Sequence, residues 1–429
     1  MERTCSRPFS LWERERERVR ACRALLLTTT LLAHCTCNQH PPNANADGDT
    51  EADVDADAGA DTDSDIDFDA IGDRDPDPDI DIVDTTDFDD SDFGTIDELC
   101  GDNLPELTWH PSECPEYMQP PDCCASCRPL TCRDSHYIYN IWENLVVYQQ
   151  RSSIFLLDLN TGVDSLFLES HREGGYQHTY DRAAISSRHV ILRKMLTDLT
   201  TYELTQQVVV VPLDDLSRRE IVLDTHDSIG YPQIYGDWAC WGRDREDGIR
   251  ELALMNIETR EERVLDDESG GAMFFGGDVW DDRVVWAMGF GVLKEHRIST
   301  GVTRTVISNP ELGPVLVSVW DHYAVFRNER SGSPYNVFLV DLETNEYRSI
   351  SPSLFEQDQP EIYDGRVVWT DLRWGTHILI YSIRTGRQYE LNPSAIHGSE
   401  PRIFDRTVLW QGQTAGAPGG IWVTRIGDI

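Results

Sequence analysis

One unit recurs along the chain from His136 to Ile429, and it is clearest in Gln359–Leu391, QPEIYDGRVVWTDLRWGTHILIYSIRTGRQYEL. It reads as four short strands: Pro360–Tyr363, Arg366–Trp369, Ile378–Ile383 and Gln388–Leu391. A turn at Asp364-Gly365, a polar loop at Asp371–Thr376 and a turn at Arg384-Thr385-Gly386 separate them. Asp-Gly between two apolar runs is a strong hairpin signal, because glycine accepts the positive φ of a tight twisted turn.

Sliding this unit along the sequence finds it again. Its second strand ends on a bulky side chain at Tyr148, Trp241, Trp286, Phe326, Trp369 and Trp410, with Leu192 in that slot of the least regular copy, Ile185–Leu192 with Val208–Leu213. Most steps are roughly 40–45 residues, the period of four-stranded propeller blades. The expectation is an all-β fold, a seven-bladed β-propeller with four-stranded blades over residues 134–429. Each bulky residue would be the wedge between neighbouring blades, since one blade buries only one layer of side chains. The last copy lacks an obvious fourth strand, so ring closure calls for one from the N-terminal side, within Pro129–His136. An open seam would leave a free sheet edge.

The pattern P-x-I-x-x-(G/D)-R-V-V-W, followed by a charged D-x-R loop, an apolar run and an x-T-G turn, resembles TolB-like, WD40-like propeller repeats. It is also similar to bacterial surface lipoproteins that carry such a propeller behind an acidic linker. The resemblance implies a propeller that binds envelope partners or one that forms half of a peptidase. Two departures stand out: seven copies rather than six, and Asp-Gly, Gly-Asp or Asp-Arg where that family has a P-D-G turn.

Upstream, Met1–Arg23 is Arg-rich and Ala24–Ala33 (ALLLTTTLLA) is an apolar run too short to span a bilayer. Together they read as a secretory signal over residues 1–35. Leu32-Ala33-His34-Cys35 approximates a lipobox, with His34 where a small residue is usual, so Cys35 is the expected lipidation site. Residues 36–94 follow as a disordered acidic linker. Its core, Asn43–Phe93, holds about twenty acidic residues and one arginine, about half of the net charge of −39. Such a tract self-repels and buries too little apolar surface to fold. Its D-x-D spacing lacks the Gly and the bidentate Glu of an EF-hand loop, so Ca²⁺ binding is expected to be weak and diffuse, and no cofactor is expected.

Residues 95–133 hold Cys100, Cys114, Cys123, Cys124, Cys127 and Cys132. An even, dense set in an exported chain reads as a disulfide-stapled module, with 15 connectivities open. Cys124-x-x-Cys127 has zinc spacing, but Cys100 and Cys114 do not supply a matching pair. Cys240, among apolar strand residues, reads as a buried inert thiol.

No catalytic signature is present: neither a G-x-S-x-G elbow nor room for a hydrolase domain after Ile429, no H-E-x-x-H, no P-loop, no dinucleotide fingerprint. The histidines His171, His178, His189, His226, His296, His322, His377 and His397 are scattered without a ligand pair at usable spacing, so no metal site is expected. The acidic balance argues against nucleic acid. What remains is the face carrying the loops between second and third strands. Its candidate binding residues are Arg243, Asp244, Arg327, Arg330, Asp371, Arg373 and Trp374, the competing role for each being an ion pair between blades. The favoured function is a non-catalytic binding scaffold, lipid-anchored in the cell envelope or on the surface, monomeric, with an envelope protein or surface polymer as partner. The alternative is a secreted enzyme acting on glycans or peptides with carboxylates in the central channel.

Overall fold

The computed structural model describes residues 93–94, 128–130 and 136–427, apart from loop segments at 215–216, 218, 227, 246, 269–276, 289–290, 330–333, 352–354, 374–375, 393–395 and 415–418. The signal, Cys35, the six clustered cysteines, Arg330 and Trp374 lie outside the described residues, as does the acidic tract up to its last residue, Phe93.

Two short strands precede the repeats, β1 (Phe93–Gly94) and β2 (Arg128–Pro129). Blade 1 is β3 (His136–Trp142), β4 (Leu145–Gln150), β5 (Ser153–Asp158) and β6 (Val163–Leu168). Blade 2 has five strands: β7 (His171–Glu173), β8 (Tyr176–Ile185), β9 (His189–Asp198), β10 (Leu204–Pro212) and β11 (Ile221–His226). Blade 3 is β12 (Gln233–Tyr235), β13 (Trp238–Asp244), β14 (Arg250–Asn256) and β15 (Glu262–Glu268); blade 4 is β16 (Gly277–Trp280), β17 (Arg283–Met288), β18 (Val292–Arg297) and β19 (Val302–Ser308). Blade 5 is β20 (Pro314–Trp320), β21 (Tyr323–Asn328), β22 (Asn336–Asp341) and β23 (Tyr347–Ser349). Blade 6 is β24 (Gln357–Tyr363), β25 (Arg366–Asp371), β26 (His377–Ser382) and β27 (Gln388–Glu390), and blade 7 is β28 (Ile396–Phe404), β29 (Thr407–Thr414) and β30 (Gly420–Arg425). Each blade is an antiparallel meander, and β3, β8, β12, β16, β20, β24 and β28 touch one another in that order around the ring, β8 standing as the ring strand of blade 2 with β7 added at its start. The first strands therefore surround the axis, and the fold is a seven-bladed β-propeller.

The copy around Trp369 forms as its sequence dictates. Asp364 and Gly365 both have positive φ (48° and 69°), as a type I′ hairpin turn requires. The expected closing strand exists, though it begins one residue earlier than expected: β2 pairs antiparallel with β30, Arg128 opposite Val423 and Pro129 opposite Trp422. It supplies the fourth strand of blade 7 from the stretch read as cysteine-rich. β1 adds a parallel fifth strand to β27 of blade 6.

The core consists of seven apolar clusters, one per blade interface, and each holds one of the bulky second-strand residues. Trp369 of blade 6 packs with Val325, Val337 and Leu339 of blade 5. Trp410 packs against Val368, Ile378 and Ile380, and Tyr148 against Leu409, Ile421 and Val423 of the last blade. Tyr148, Leu192, Trp241, Trp286, Phe326, Trp369 and Trp410 are all fully buried. At ~25 cal/mol per Å² and ~200 Å² per large aromatic, burying each of the six aromatic wedges contributes about 5 kcal/mol, an upper figure. Cys240 is also fully buried, and burial pushes its thiol well up, which fits the inert role expected of it.

Candidate functional site

The first strand of each blade has one edge unpaired by its own sheet. Its N–H groups on that edge need acceptors, and its side chains converge on the axis. The residue before each first turn is aromatic in six blades: Trp142, Tyr235, Trp280, Trp320, Tyr363 and Phe404. Their rings meet one another, with centroids 4.4 Å apart for Tyr363–Phe404, 4.5 Å for Tyr235–Trp280 and 5.1 Å for Trp142–Phe404. In blade 2 the slot is held by the small, buried Ser186, and Trp142 reaches past it to Tyr235 at 5.6 Å. Contacts between alternate blades, such as Trp280 with Tyr363 at 5.3 Å, require these rings to lie across the axis. An aromatic layer thus fills the channel at this end.

Two residues earlier on the same strands stand Asn140, Ala184, Gln233, Asp278, Ser318, Glu361 and Arg402. Here the polar groups satisfy the unpaired edges. Asp278 Oδ2 accepts the Val319 N–H at 2.9 Å, and Ser318 Oγ accepts the Ile362 N–H at 3.3 Å. Glu361 accepts the Ile403 N–H. In each case one blade caps the first strand of the next. Arg402 Nε then donates to the Tyr139 carbonyl at 2.7 Å and joins the last blade to the first. Just beyond, β-bulges hold Arg182, Leu316, Gln359 and Glu400 in the left-handed region (φ 52°, 51°, 53° and 54°). A bulge re-aims a side chain at the cost of local strain. One of these residues also links blades: the Glu400 N–H donates to Gln359 Oε1 at 3.0 Å.

Burial raises the carboxyl of Asp278 to about 6 against the two N–H bonds, from Val319 and Val279, that lower it. Glu361 is pushed further, to about 7, by burial, with Arg402 opposing. Its Oε2 is buried without a hydrogen bond, and Arg402 Nη1 stands 3.6 Å away. Among the described axial carboxylates, Glu361 is the one with an oxygen left over.

The loop-face residues singled out in the sequence are engaged in ion pairs. Arg243 Nη1 donates to Asp224 at 2.7 Å, bridging blades 3 and 2, while Nε and Nη2 reach Glu251 and Glu262 of its own blade at 2.9 and 2.6 Å. Arg327 Nη1 bridges blade 5 to Asp358 of blade 6 at 2.5 Å, and its guanidinium lies 4.8 Å from the ring centroid of Tyr335. Asp244 pairs with Arg250 at 2.9 Å. Asp371 is buried, accepting from Gln357 at 3.2 Å and from the backbone and side chain of Arg373 at 2.9 and 3.0 Å. For Arg243 and Arg327 the inter-blade role holds; Asp371 and Arg373 tie their own loop.

An exposed apolar surface lies on the same face, in blade 2. β8, β9 and β10 run 10, 10 and 9 residues, against 7 for β3, β20 and β24. Measured from the aromatic end, blade 2 therefore projects about 10 Å further than blades 1, 5 and 6 at ~3.3 Å per residue, and less far beyond blade 7, whose β28 has 9 residues. The projection is tied internally, Leu199 N donating to the Gly175 carbonyl at 2.9 Å. It exposes Tyr202 (77%), Leu204 (44%), Tyr176 (41%) and Leu199 (38%). Sequence reading missed this tongue. Its one signal was the poor fit of this copy to the repeat.

No protein-family model matches the chain, and no curated protein matches it. Solved structures do. The β-propeller domain of the trilobed protease from Pyrococcus furiosus is similar with a TM-score of 0.51, at 12% identity over 67% of this chain and 95% of that one. A prolyl endopeptidase is similar at 0.53 and 13% identity over 68% of this chain; the match spans only 46% of the endopeptidase. TolB from Acinetobacter baumannii is similar at 0.43 and 13% identity, covering 59% of this chain and 62% of that one. At such identity the first two likenesses establish the class of fold, the β-propeller expected from the repeats. They establish nothing finer.

Proposed function

We propose that this protein is a non-catalytic binding scaffold of the bacterial cell envelope, exported, lipid-anchored through Cys35 and held off the membrane by its acidic tract. The blade 2 tongue is its docking surface for another envelope protein. The observation that carries the reading is the tongue itself. Two tyrosines and two leucines project beyond the ring into solvent. Aromatic residues are enriched where partners bind, and a raised apolar surface with no cover among the described residues marks an interaction site. The axial carboxylates support the same reading, because Asp278 and Glu361 hold the backbone of the next blade.

The test is capture of partners from the envelope fraction with the full-length chain, native and with Leu199→Ser and Tyr202→Ser together. One envelope protein retained by the native chain and lost with the variant is the expected result; equal retention by both refutes docking through the tongue. Mass spectrometry of the native N-terminus should find an acylated Cys35, and an unmodified Cys35 would remove the anchor. The enzymatic alternative, hydrolysis of glycans or peptides in the channel, has Glu361 in its favour. Any turnover abolished by Glu361→Gln would establish it.

A further inference from the structure

β7 and the start of β8 form a hairpin whose turn is Gly174-Gly175, both with positive φ (59° and 89°). A type I′ turn needs this at both central positions, which glycine gives without strain. The turn sets the register: Glu173 opposes Tyr176, Arg172 opposes Gln177, and His171 opposes His178. Residues two apart on a strand share a face, and so do directly opposed residues. Glu173, His171 and His178 therefore gather on one face, while Arg172 Nε donates to Gln177 Oε1 at 2.8 Å on the other. The two imidazoles stack with centroids 4.4 Å apart. One ring nitrogen of each histidine and one Glu173 oxygen lie within 4.8 Å of one another.

Stacked imidazoles beside a carboxylate would be ordinary surface packing if their nitrogens were satisfied. They are not. His171 Nδ1 donates to the Glu169 carbonyl at 2.9 Å, which fixes the tautomer and leaves Nε2 as a lone pair in the neutral ring. Nε2 stands 3.6 Å from Glu173 Oε2, on the same face of the hairpin. His178 Nδ1 is buried without a hydrogen-bond partner. A histidine that donates one N–H to a carbonyl and presents the other nitrogen to its neighbours is oriented as metal-bound histidines are.

We propose that His171, Glu173 and His178 form a binding site for a zinc-class divalent ion, with a fourth coordination position open. Two imidazoles and one carboxylate suit Zn²⁺ or Cu²⁺, whereas Ca²⁺ and Mg²⁺ take oxygen ligands. A tetrahedral set with bonds of ~2.0 Å has edges of ~3.3 Å, so the cluster must contract by ~1.5 Å at most; Glu173, which is exposed, swings in, and the imidazoles, stacked at 25°, turn about χ2 so that both in-plane lone pairs meet at one point. The site sits on the axial edge of blade 2, at the channel end opposite the aromatic layer. It stands independently of the partner assigned to the tongue.

The test is Zn²⁺ titration of the untagged full-length chain by calorimetry, in excess Ca²⁺ to occupy the acidic tract. One equivalent should bind to the native chain. Changes around a ligand already cost 10–100-fold in affinity, so His171→Ala or His178→Ala should each cost ~100-fold or more, and Glu173→Gln ~10-fold. Cu²⁺ loaded in place of Zn²⁺ gives a second readout that does not depend on variant folding: its electron paramagnetic resonance spectrum should show coupling to two imidazole nitrogens. Equal stoichiometry in the native chain and the double histidine variant, or a Cu²⁺ spectrum without two coupled nitrogens, overturns the site.

Discussion

Among the four tryptophan wedges, two have their indole N–H satisfied and two do not, and this should separate their responses to Trp→Phe. Trp286 Nε1 donates to Asp266 at 3.1 Å and Trp241 Nε1 to Asp224 at 2.8 Å, each time reaching the preceding blade. Trp369 Nε1 and Trp410 Nε1 are buried with no acceptor. Replacing Trp by Phe removes about 40 Å³ of side chain; at ~24 cal/mol per Å³ of cavity this costs roughly 1 kcal/mol at either position. Trp286→Phe also loses a bond to a carboxylate, worth ~1.5–3 kcal/mol. The low end applies, because Asp266 keeps Lys294 Nζ at 2.7 Å. Trp369→Phe instead relieves an unpaired buried donor, a penalty of ~1–3 kcal/mol. Trp286→Phe should therefore destabilise by about 2–3 kcal/mol, and Trp369→Phe should lie near zero. Urea unfolding followed by circular dichroism measures both through the shift in midpoint at constant slope. If Trp369→Phe is as costly as Trp286→Phe, the wedges are held by packing alone and the argument from unpaired donors fails.

Glu361 predicts a pH dependence. Its carboxyl is raised from 4.5 to about 7 in the folded chain, so between those values the folded state binds more protons than the unfolded one. Stability is then fully present below about 4.5, falls as pH rises towards 7 and levels off above, by on the order of 3 kcal/mol. Glu361→Gln should flatten that fall and leave the variant more stable than the native chain at pH 8; parallel pH curves for the two proteins would refute it. Arg243→Ala leaves Asp224, Glu251 and Glu262 without their shared cation at a nearly buried position, and should cost ~3–5 kcal/mol in denaturant unfolding. A loss below 1 kcal/mol would return Arg243 to the role of a free binding residue.

The sequence by itself determined the fold. The spacing of Tyr148, Trp241, Trp286, Phe326, Trp369 and Trp410 is legible because every interface needs one bulky side chain at the same height, a ring in six of the seven, and a repeated packing demand leaves a repeated residue. The Asp-Gly turn was legible for a similar reason, since few residues accept its backbone. The second aromatic series, from Trp142 to Phe404, was equally visible as letters. Its meaning was not, because only ring closure brings the ends of six first strands onto one axis.

Tertiary structure alone decided which charges were spoken for. An ion pair between blades was one of two roles open to Arg243 and Arg327 in the sequence, but their partners Asp224 and Asp358 could not be picked out there, because a pairing between blades has no fixed spacing along the chain. The same holds for His171 and His178. Seven positions apart they match no ligand motif, yet a two-residue turn folds one onto the other. Local spacing encodes contacts within a strand or turn; contacts between strands depend on register, and here register was set by two glycines and by the closing of the ring.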